Sequence, residues 1–422
     1  MEAIDGIADP WECGNYMLES FRRVNAFHYQ GKFYQWDEQW QEISHDHLHL
    51  VIMRTLKEKC TQAKISLIMD RLRIELENAP KPLGNRVPFA NGFFDVDLGI
   101  MRPGVDYRLK DRRLLVLPFT YDPLASHHKW DKFLADVFEG DEDKDQKVSV
   151  LQEFFGYCMI DANMHKALVL YGDGGNGKSV ILDILAAMLP KVSRLEWSEL
   201  ADQRSLERLA DSWLNCSTEI AYRDSNSTTG FKKAIAQEVM TANPKYKRAY
   251  DFTPRAKFAF ATNGLPMIDD PSSGVFRRLI ILTLNNSFVG KEDWNLTDTL
   301  ESEIPGIFNW AMVGALRLIK EGGFTDVPSN VTELQEYRRA INSMQSFYDE
   351  DLCMRKGEDM TFADFYRKYT SYCLETNNKP YARNKIRSLI KQLGLQLEVY
   401  QSEGNNRRVM ALVNVGNESL TF

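Results

Sequence analysis

Two rhythms of apolar and polar positions run along this chain. Between His165 and Phe288, short apolar runs at Ala167–Tyr171, Trp213–Thr218, Phe258–Ala261 and Leu279–Leu284 are separated by stretches with helical spacing. The clearest of those stretches carries Val180, Ile181, Ile184, Leu185, Met188 and Leu189 on one face. Runs of this kind are strands buried on both faces, and alternation with helices predicts an α/β layer with a mostly parallel sheet. Upstream, to about residue 125, strand-like pieces (His28–Trp36, Phe93–Asp97, Leu114–Phe119) accompany a helical stretch from His45 to Ala79, closing at the turn signal Tyr121-Asp122-Pro123. Residues 128–163 read as helices around a charged Glu139–Lys147 connector, and Ile307–Lys320 as a further helix.

From about residue 345 the order changes. Phe362–Leu374 has helical spacing, Asn384–Leu393 repeats it with Arg and Lys on the other face, and Leu395–Val413 alternates around Glu403-Gly404-Asn405-Asn406, a hairpin signal. Helix, basic helix and hairpin form the order of a winged-helix module, whose second helix enters a major groove. A small α+β cap for assembly fits the same order. No internal repeat is visible.

Composition narrows the class. A chain of 422 residues with 44% hydrophobic content buries a large core without staples, which excludes disordered, collagen-like and mini-protein classes. The six cysteines are scattered without a C-x-x-C pair, which fits a reducing compartment and argues against a structural zinc site. The apolar stretches fall far short of the ~20 residues of a bilayer span, and no signal peptide opens the chain. The expectation is a soluble, intracellular, cytoplasmic protein.

The net charge of −7 hides two basic islands. Residues 232–257 hold Lys232, Lys233, Lys245, Lys247, Arg248, Arg255 and Lys257 against Glu238 and Asp251. Residues 379–408 hold Lys379, Arg383, Lys385, Arg387, Lys391, Arg407 and Arg408 against Glu398 and Glu403. Such islands on an acidic body point to polyanion-facing surfaces, although ordinary solvated lysines would look the same.

The strongest chemical signal is Gly172-Asp173-Gly174-Gly175-Asn176-Gly177-Lys178-Ser179, followed by Val180. This G-x-x-x-x-G-K-S sits between a buried strand and an apolar-faced helix, the context a phosphate-binding loop needs. Glycines let successive N–H groups point at a phosphate, and the helix N-terminus adds partial positive charge. In that reading Lys178 bridges the β- and γ-phosphates of ATP and the Ser179 hydroxyl ligates Mg²⁺. A Mg²⁺-nucleotide site also needs a carboxylate beyond a neighbouring strand; Glu219 is the candidate and Asp224 the fallback. Phe258–Ala261 delivers Thr262-Asn263 at its tip, where the Asn263 amide can hold the attacking water, unless it is a simple Asn-Gly turn. Arg277-Arg278 precede Leu279–Leu284 and could stabilise transition-state charge on a nucleotide bound to a neighbouring subunit.

Two weaker constellations remain. His45 and His49 stand four apart on a helix, a spacing that can bind metal or simply face solvent. Asp95-Val96-Asp97 has the form of a paired-carboxylate metal site, though the segment ahead of the loop is short for a primase-polymerase.

Strand, loop, helix, a Glu strand, a basic segment, an Asn-tipped strand and an Arg-Arg together resemble the superfamily 3 helicases, more narrowly the phage, plasmid and poxvirus primase-helicase family. The matching pieces are Gly172–Ser179, Glu219, Asn243-Pro244-Lys245-Tyr246-Lys247-Arg248 with Phe252-Thr253-Pro254, Phe258–Pro266, and Gly274-Val275-Phe276-Arg277-Arg278-Leu279. Asn91-Gly92-Phe93-Phe94-Asp95, Tyr121-Asp122-Pro123 and Ile304–Ala311 resemble segments flanking that core, so the resemblance covers about residues 90–320. The departure is Ser217-Thr218 before Glu219, where another acid is usual.

The resemblance implies an AAA+-like ATPase core at 165–290, an N-terminal α+β domain at 1–125, a helical collar at 126–164 and a helical extension at 291–344, with the winged-helix-like domain at 345–422. It implies a homo-hexameric ring threading single-stranded DNA at a fork, with ATP and Mg²⁺ between subunits, Arg277 or Arg278 acting in trans and Lys245, Lys247 and Arg248 lining the pore. Lys245, Lys247 and Arg248 with Tyr246 and Tyr250 combine charge and rings as single-strand binders do. Arg383, Lys385, Arg387 and Arg407 would contact DNA from the C-terminal module. A primase or polymerase, separate or fused upstream, is the expected partner. The alternatives are an origin-binding initiator or packaging ATPase without robust unwinding, and a small-molecule phosphotransferase.

Overall fold

A computed structural model describes residues 9–413 except 30, 38, 79–83, 105–114, 219–227, 246–248, 266–272, 292, 342, 351–359, 377, 379, 382, 384–385, 387–389, 391–395 and 402–407. The chain divides into two units, residues 1–330 and 331–422.

The first unit opens with a helix that the sequence rhythm does not announce, Pro10–Arg23. Asp9 caps it by accepting from Glu12 N, Pro10 stands where no N–H is needed, and Cys13, Met17, Leu18 and Phe21 point inward. The single helical stretch expected from His45 to Ala79 is two helices, His45–Leu56 and Gln62–Glu75. The break has a local cause: Lys57 adopts φ 46°, and the Thr61 hydroxyl caps a new helix by accepting from Lys64 N. These helices pack on one face of an antiparallel sheet of β1 (Phe27–Tyr29), β2 (Lys32–Asp37) and β3 (Gln39–Ile43). A second antiparallel sheet holds β4 (Arg86–Phe89), β5 (Gly92–Asp95) and β6 (Ile100–Pro103). Within 115–119 no strand forms; Leu117 donates a single bond to Pro88 O.

The centre of the unit is a five-stranded sheet in the order β13-β7-β12-β9-β8, from β7 (Ala167–Tyr171), β8 (Val192–Ser193), β9 (Leu214–Ser217), β12 (Lys257–Thr262) and β13 (Leu279–Thr283). Every pairing in it is parallel, as the apolar runs predict. A separate antiparallel pair joins β10 (Met240–Ala242) to β11 (Tyr250–Phe252).

Two helices of this unit meet at short range. Helix Ile304–Glu321 lies against helix Lys144–Tyr157 so closely that a Cβ on Gly314 would stand 2.3 Å from Gln152 C, and one on Gly156 2.5 Å from Ala311 O. Phe308, on the same helix, has ring centroids of Phe89, Phe94, Phe119 and Tyr121 within 5.2–5.8 Å, which fastens the β4–β6 sheet to the central core. Glu303 reaches across the chain to accept from Lys129 N and Trp130 N, capping helix His128–Val137. Buried Glu153 accepts from Arg317 Nε (2.5 Å), Thr325 N and Thr325 Oγ1.

Lys257 corrects one expectation. In sequence it belongs to a basic island, yet it is 5% exposed, its amine donating to Ala162 O and lying over the Tyr157 ring, and burial pushes its pKa down to about 8. It stabilises the base of β12 and offers nothing to a polyanion.

In the second unit, β14 (Met360–Thr361) leads into helix Phe362–Glu375, and β15 (Gln396–Gln401) pairs antiparallel with β16 (Arg408–Val413), giving a sheet in the order β14-β16-β15. Thr361 caps the helix by accepting from Asp364 N, and Phe347, Phe365, Tyr369, Ile386 and Ile390 form its core. The hairpin turn and most of the expected basic helix lie outside the described residues. Among the described residues, no helix is long and apolar enough to cross a membrane.

Gly314→Ala is expected to overpack the contact between helices Lys144–Tyr157 and Ile304–Glu321, lowering stability by about 1–3 kcal/mol in a denaturant titration; an unchanged midpoint would remove close approach as the reason for glycine there.

Candidate active site

The site is built where β7 ends. β7 lies between β13 and β12, so a chain leaving it emerges at the sheet's C-terminal edge between the ends of those two strands. Gly172 turns out with φ 151°, and a Cβ there would lie 2.4 Å from Leu284 O and 2.5 Å from Asn176 Nδ2. Gly175 (φ 71°) and Gly177 (φ 88°) occupy the left-handed region that other residues avoid, and Gly177 is the N-cap of helix Lys178–Ala187. The cradle cannot be built with side chains at these positions. Gly174 has nothing within 4 Å of its Cβ position, so space lies open beside it.

Lys178 is buried, and its amine donates to Gly172 O (2.7 Å), Asp173 O (2.6 Å) and Asn176 Oδ1 (2.8 Å). Burial lowers its pKa, while Asp173 pulls the other way. Ser179 is exposed in the first turn of the helix and Val180 half-buried beside it. Loop N–H groups and a helix N-terminus beside an ammonium make a site suited to an anion.

Neighbouring strands bring further groups to the same edge. Thr262 ends β12 level with Tyr171, its hydroxyl accepting from Gly264 N and its carbonyl from Gly172 N, and the next residue, Asn263, is exposed. β9 runs parallel to β12 with Ser217 opposite Phe260, but Glu219 and Asp224 lie outside the described residues. Among the described residues there is no group of three His, Cys, Asp or Glu that could hold a metal ion.

The arginine pair is not brought to this edge. Arg278 O accepts from Ala167 N, and Leu279 is opposite Ala167, so Arg277 and Arg278 stand at the start of β13. The loop begins after its far end, about 16 Å away at ~3.3 Å per residue. The two arginines differ. Arg277 is exposed, while Arg278 turns back to donate from Nη1 to Gly274 O, its pKa lowered by burial and by Arg277.

Of the DNA-contact candidates, Lys245 is exposed beyond β10 and Arg383 is exposed with its guanidinium 4.9 Å from the Tyr366 ring centroid. Lys247, Arg248, Lys385, Arg387 and Arg407 lie outside the described residues. The two weaker constellations have other occupations. His45 and His49 stack at 5.4 Å beside Arg73, a cation that opposes a metal. Asp95 accepts from Leu98 N, and Asp97 from Asn85 Nδ2.

Sequence reading missed the residues that hold the loop from outside. Lys147, 1% exposed, contacts Asp141 (2.6 Å) and Asp143 (3.6 Å) and donates to Thr283 O and Oγ1. Asn285 Nδ2 donates to Asp141, and Asn286 Nδ2 to the carbonyls of Asp136, Val137 and Glu139 at the end of helix His128–Val137. Asn176 Nδ2 donates to Leu284 O, and Phe288 N to Gly175 O. The available signal was the Asn285-Asn286 pair directly after an apolar strand.

Fold and loop together define a mixed α/β protein whose parallel sheet presents a glycine cradle at its C-terminal edge. Comparison with known proteins narrows this. Residues 15–139 match the family described as D5 N terminal like, and residues 170–278 a family of unknown function, DUF5906. The chain is 25% identical over 214 residues to "Putative helicase L207/L206" of Acanthamoeba polyphaga mimivirus, a match spanning 48% of this chain and 22% of that protein. Its fold is similar to the apo A form of the NrS-1 C-terminal region, with TM-score 0.50, 12% identity and coverage of 96% of this chain and 100% of that one. Two segments of the chain are thus similar to a D5 N-terminal-like family and to a putative viral helicase, of which the chain spans about a fifth of the length.

Arginine-directed labelling with phenylglyoxal is expected to modify Arg277 several-fold faster than Arg278, read by peptide mass spectrometry; equal rates would show that the Gly274 contact does not hold Arg278.

Proposed function

We propose that this protein is an ATP-dependent replicative DNA helicase that moves on single-stranded DNA as a hexameric ring, hydrolysing ATP between subunits. The observation that carries the reading is the division of the sheet. Its C-terminal edge carries the glycine cradle with Lys178 and Asn263, and the arginine fit to complement it, Arg277, sits at the opposite edge. An arginine about 16 Å from its own chain's loop serves phosphate chemistry only on a second subunit.

The donor set fits a nucleotide. Gly172, Gly175 and Gly177 take positive φ where a Cβ would press on Leu284, Val289 and Val137, so the loop keeps its curl only with glycine there, and this core is read as a phosphate-binding-loop ATPase of the AAA+-like kind. Loop N–H groups from Asp173 to Val180 bind the phosphates, and Lys178 exchanges one of its loop carbonyls for a phosphate oxygen. Ser179 and Glu219 would hold Mg²⁺, which when bound would supply charge neutralisation for the phosphates. Asn263 orients water and Glu219 accepts its proton. Arg277 of the adjacent subunit offsets charge developing on the transferred group, while Arg278 fixes the turn that presents it.

Lys245, exposed beyond β10, together with Lys247 and Arg248, which follow it in sequence, contacts the DNA backbone in the pore, so turnover is linked to strand movement. The second unit acts as a winged-helix-like module using Arg383, Lys385, Arg387 and Arg407. Residues 126–164 form the collar, a primase or polymerase is the partner, and the site of action is the host cytoplasm.

Lys178→Ala is expected to abolish ATP hydrolysis, and wild-type turnover to rise with single-stranded DNA in a ring-sized particle. Near-normal turnover in the variant would sink the cradle assignment, and DNA-stimulated turnover without fork unwinding would favour an initiator or packaging ATPase. Mixing Arg277→Ala with Lys178→Ala subunits is expected to restore partial activity, since a mixed interface pairs an intact loop with an intact arginine; no recovery at any ratio would count against action in trans.

A further inference from the structure

Each N–H of the Lys178 ammonium is directed at an acceptor of its own loop: the carbonyls of Gly172 and Asp173 and the Asn176 side chain. Two of those acceptors are backbone and would be present whatever the sequence. The third is chosen by sequence, and it does two things at once. Asn176 is 3% exposed; its Oδ1 accepts from Lys178 Nζ at 2.8 Å, and its Nδ2 donates to Leu284 O at 2.9 Å, directly beyond β13. A carboxamide is the side chain that offers an acceptor to an ammonium and a donor to a carbonyl from one planar group. Gly172 is glycine partly because this amide occupies the place of a Cβ.

We infer that Asn176 is a positioning residue that holds the Lys178 ammonium at the mouth of the loop and pins the loop to the end of β13. Its importance for ATP rests on the function proposed above; the clamp on Lys178 does not. Without the amide, Lys178 keeps two carbonyl acceptors and gains freedom to leave them, and Leu284 O loses a buried donor.

The test uses the full chain and acetic anhydride at one pH, with acetylation of Lys178 followed by peptide mass spectrometry in wild type, Asn176→Ala and Asn176→Asp. Lys257, buried at the opposite edge, is the internal control for folding. Asn176→Ala is expected to speed Lys178 acetylation about tenfold, the scale of one hydrogen bond to a charged group, with Lys257 still protected. Asn176→Asp keeps an oxygen facing the amine and is expected to label no faster than wild type. A Lys178 rate in Asn176→Ala within twofold of wild type would overturn the inference. If the alanine variant unfolds, exposing Lys257, the aspartate variant decides: Lys178 labelling as fast as a surface lysine overturns the clamp, and slow labelling upholds it. ATP should slow Lys178 labelling in wild type and do so about tenfold less effectively in Asn176→Ala. Absence of any ATP protection in wild type would remove the nucleotide reading, while the labelling ratio would still decide the clamp.

Discussion

The edge that carries the glycine cradle depends on how the end of β13 is held. A buried ammonium is costly unless every donor finds an acceptor and its charge finds a partner, and Lys147 meets both conditions with Asp141, Asp143 and Thr283. From that fixed point the chain runs through Leu284, which receives Asn176, and Asn286, which closes the last turn of helix His128–Val137. Gly177 sits against Val137 and Phe133 of the same helix. Loop, strand end and helices are thus one hydrogen-bonded and packed body, and a shift in the loop must be shared with the helices that flank it.

A parallel sheet has two chemically different edges, since every strand starts at one and ends at the other. In this protein the cradle is at the ending edge and the arginine pair at the starting edge. β13 is buried along its whole length and joins the two, with Arg278 bonded at its start and Leu284 bonded beyond its end. A strand with both ends engaged is a stiff link between the cradle and the arginine at the opposite edge.

Much of the core was legible because the signals are local. Apolar runs flanked by helical spacing specify strands in a parallel sheet, and glycines at fixed intervals before Lys178 specify a turn only they can make. Where reading failed, an interaction between distant residues had decided the outcome. Lys257 is as basic as Lys245 in sequence, yet one is sealed beneath Tyr157 and Ala162 and the other is exposed. The stretch His45–Ala79 is the exception: it keeps helical spacing throughout, and the break comes from the local Thr61 cap and the positive φ of Lys57, which periodicity alone does not register.

The sequence by itself determined the strand–loop–helix unit, the identity of the residues that can meet an anion and the alternation that makes the sheet parallel. These follow from backbone sterics and side-chain periodicity within a few residues. Only the tertiary structure decided which strands neighbour β7, that Arg277 faces away from its own cradle while Arg278 folds back, and that Asn176, Lys147 and Asn286 hold the loop in place. Those facts depend on contacts spanning up to about a hundred and fifty residues, and no local pattern encodes a partner that far along the chain.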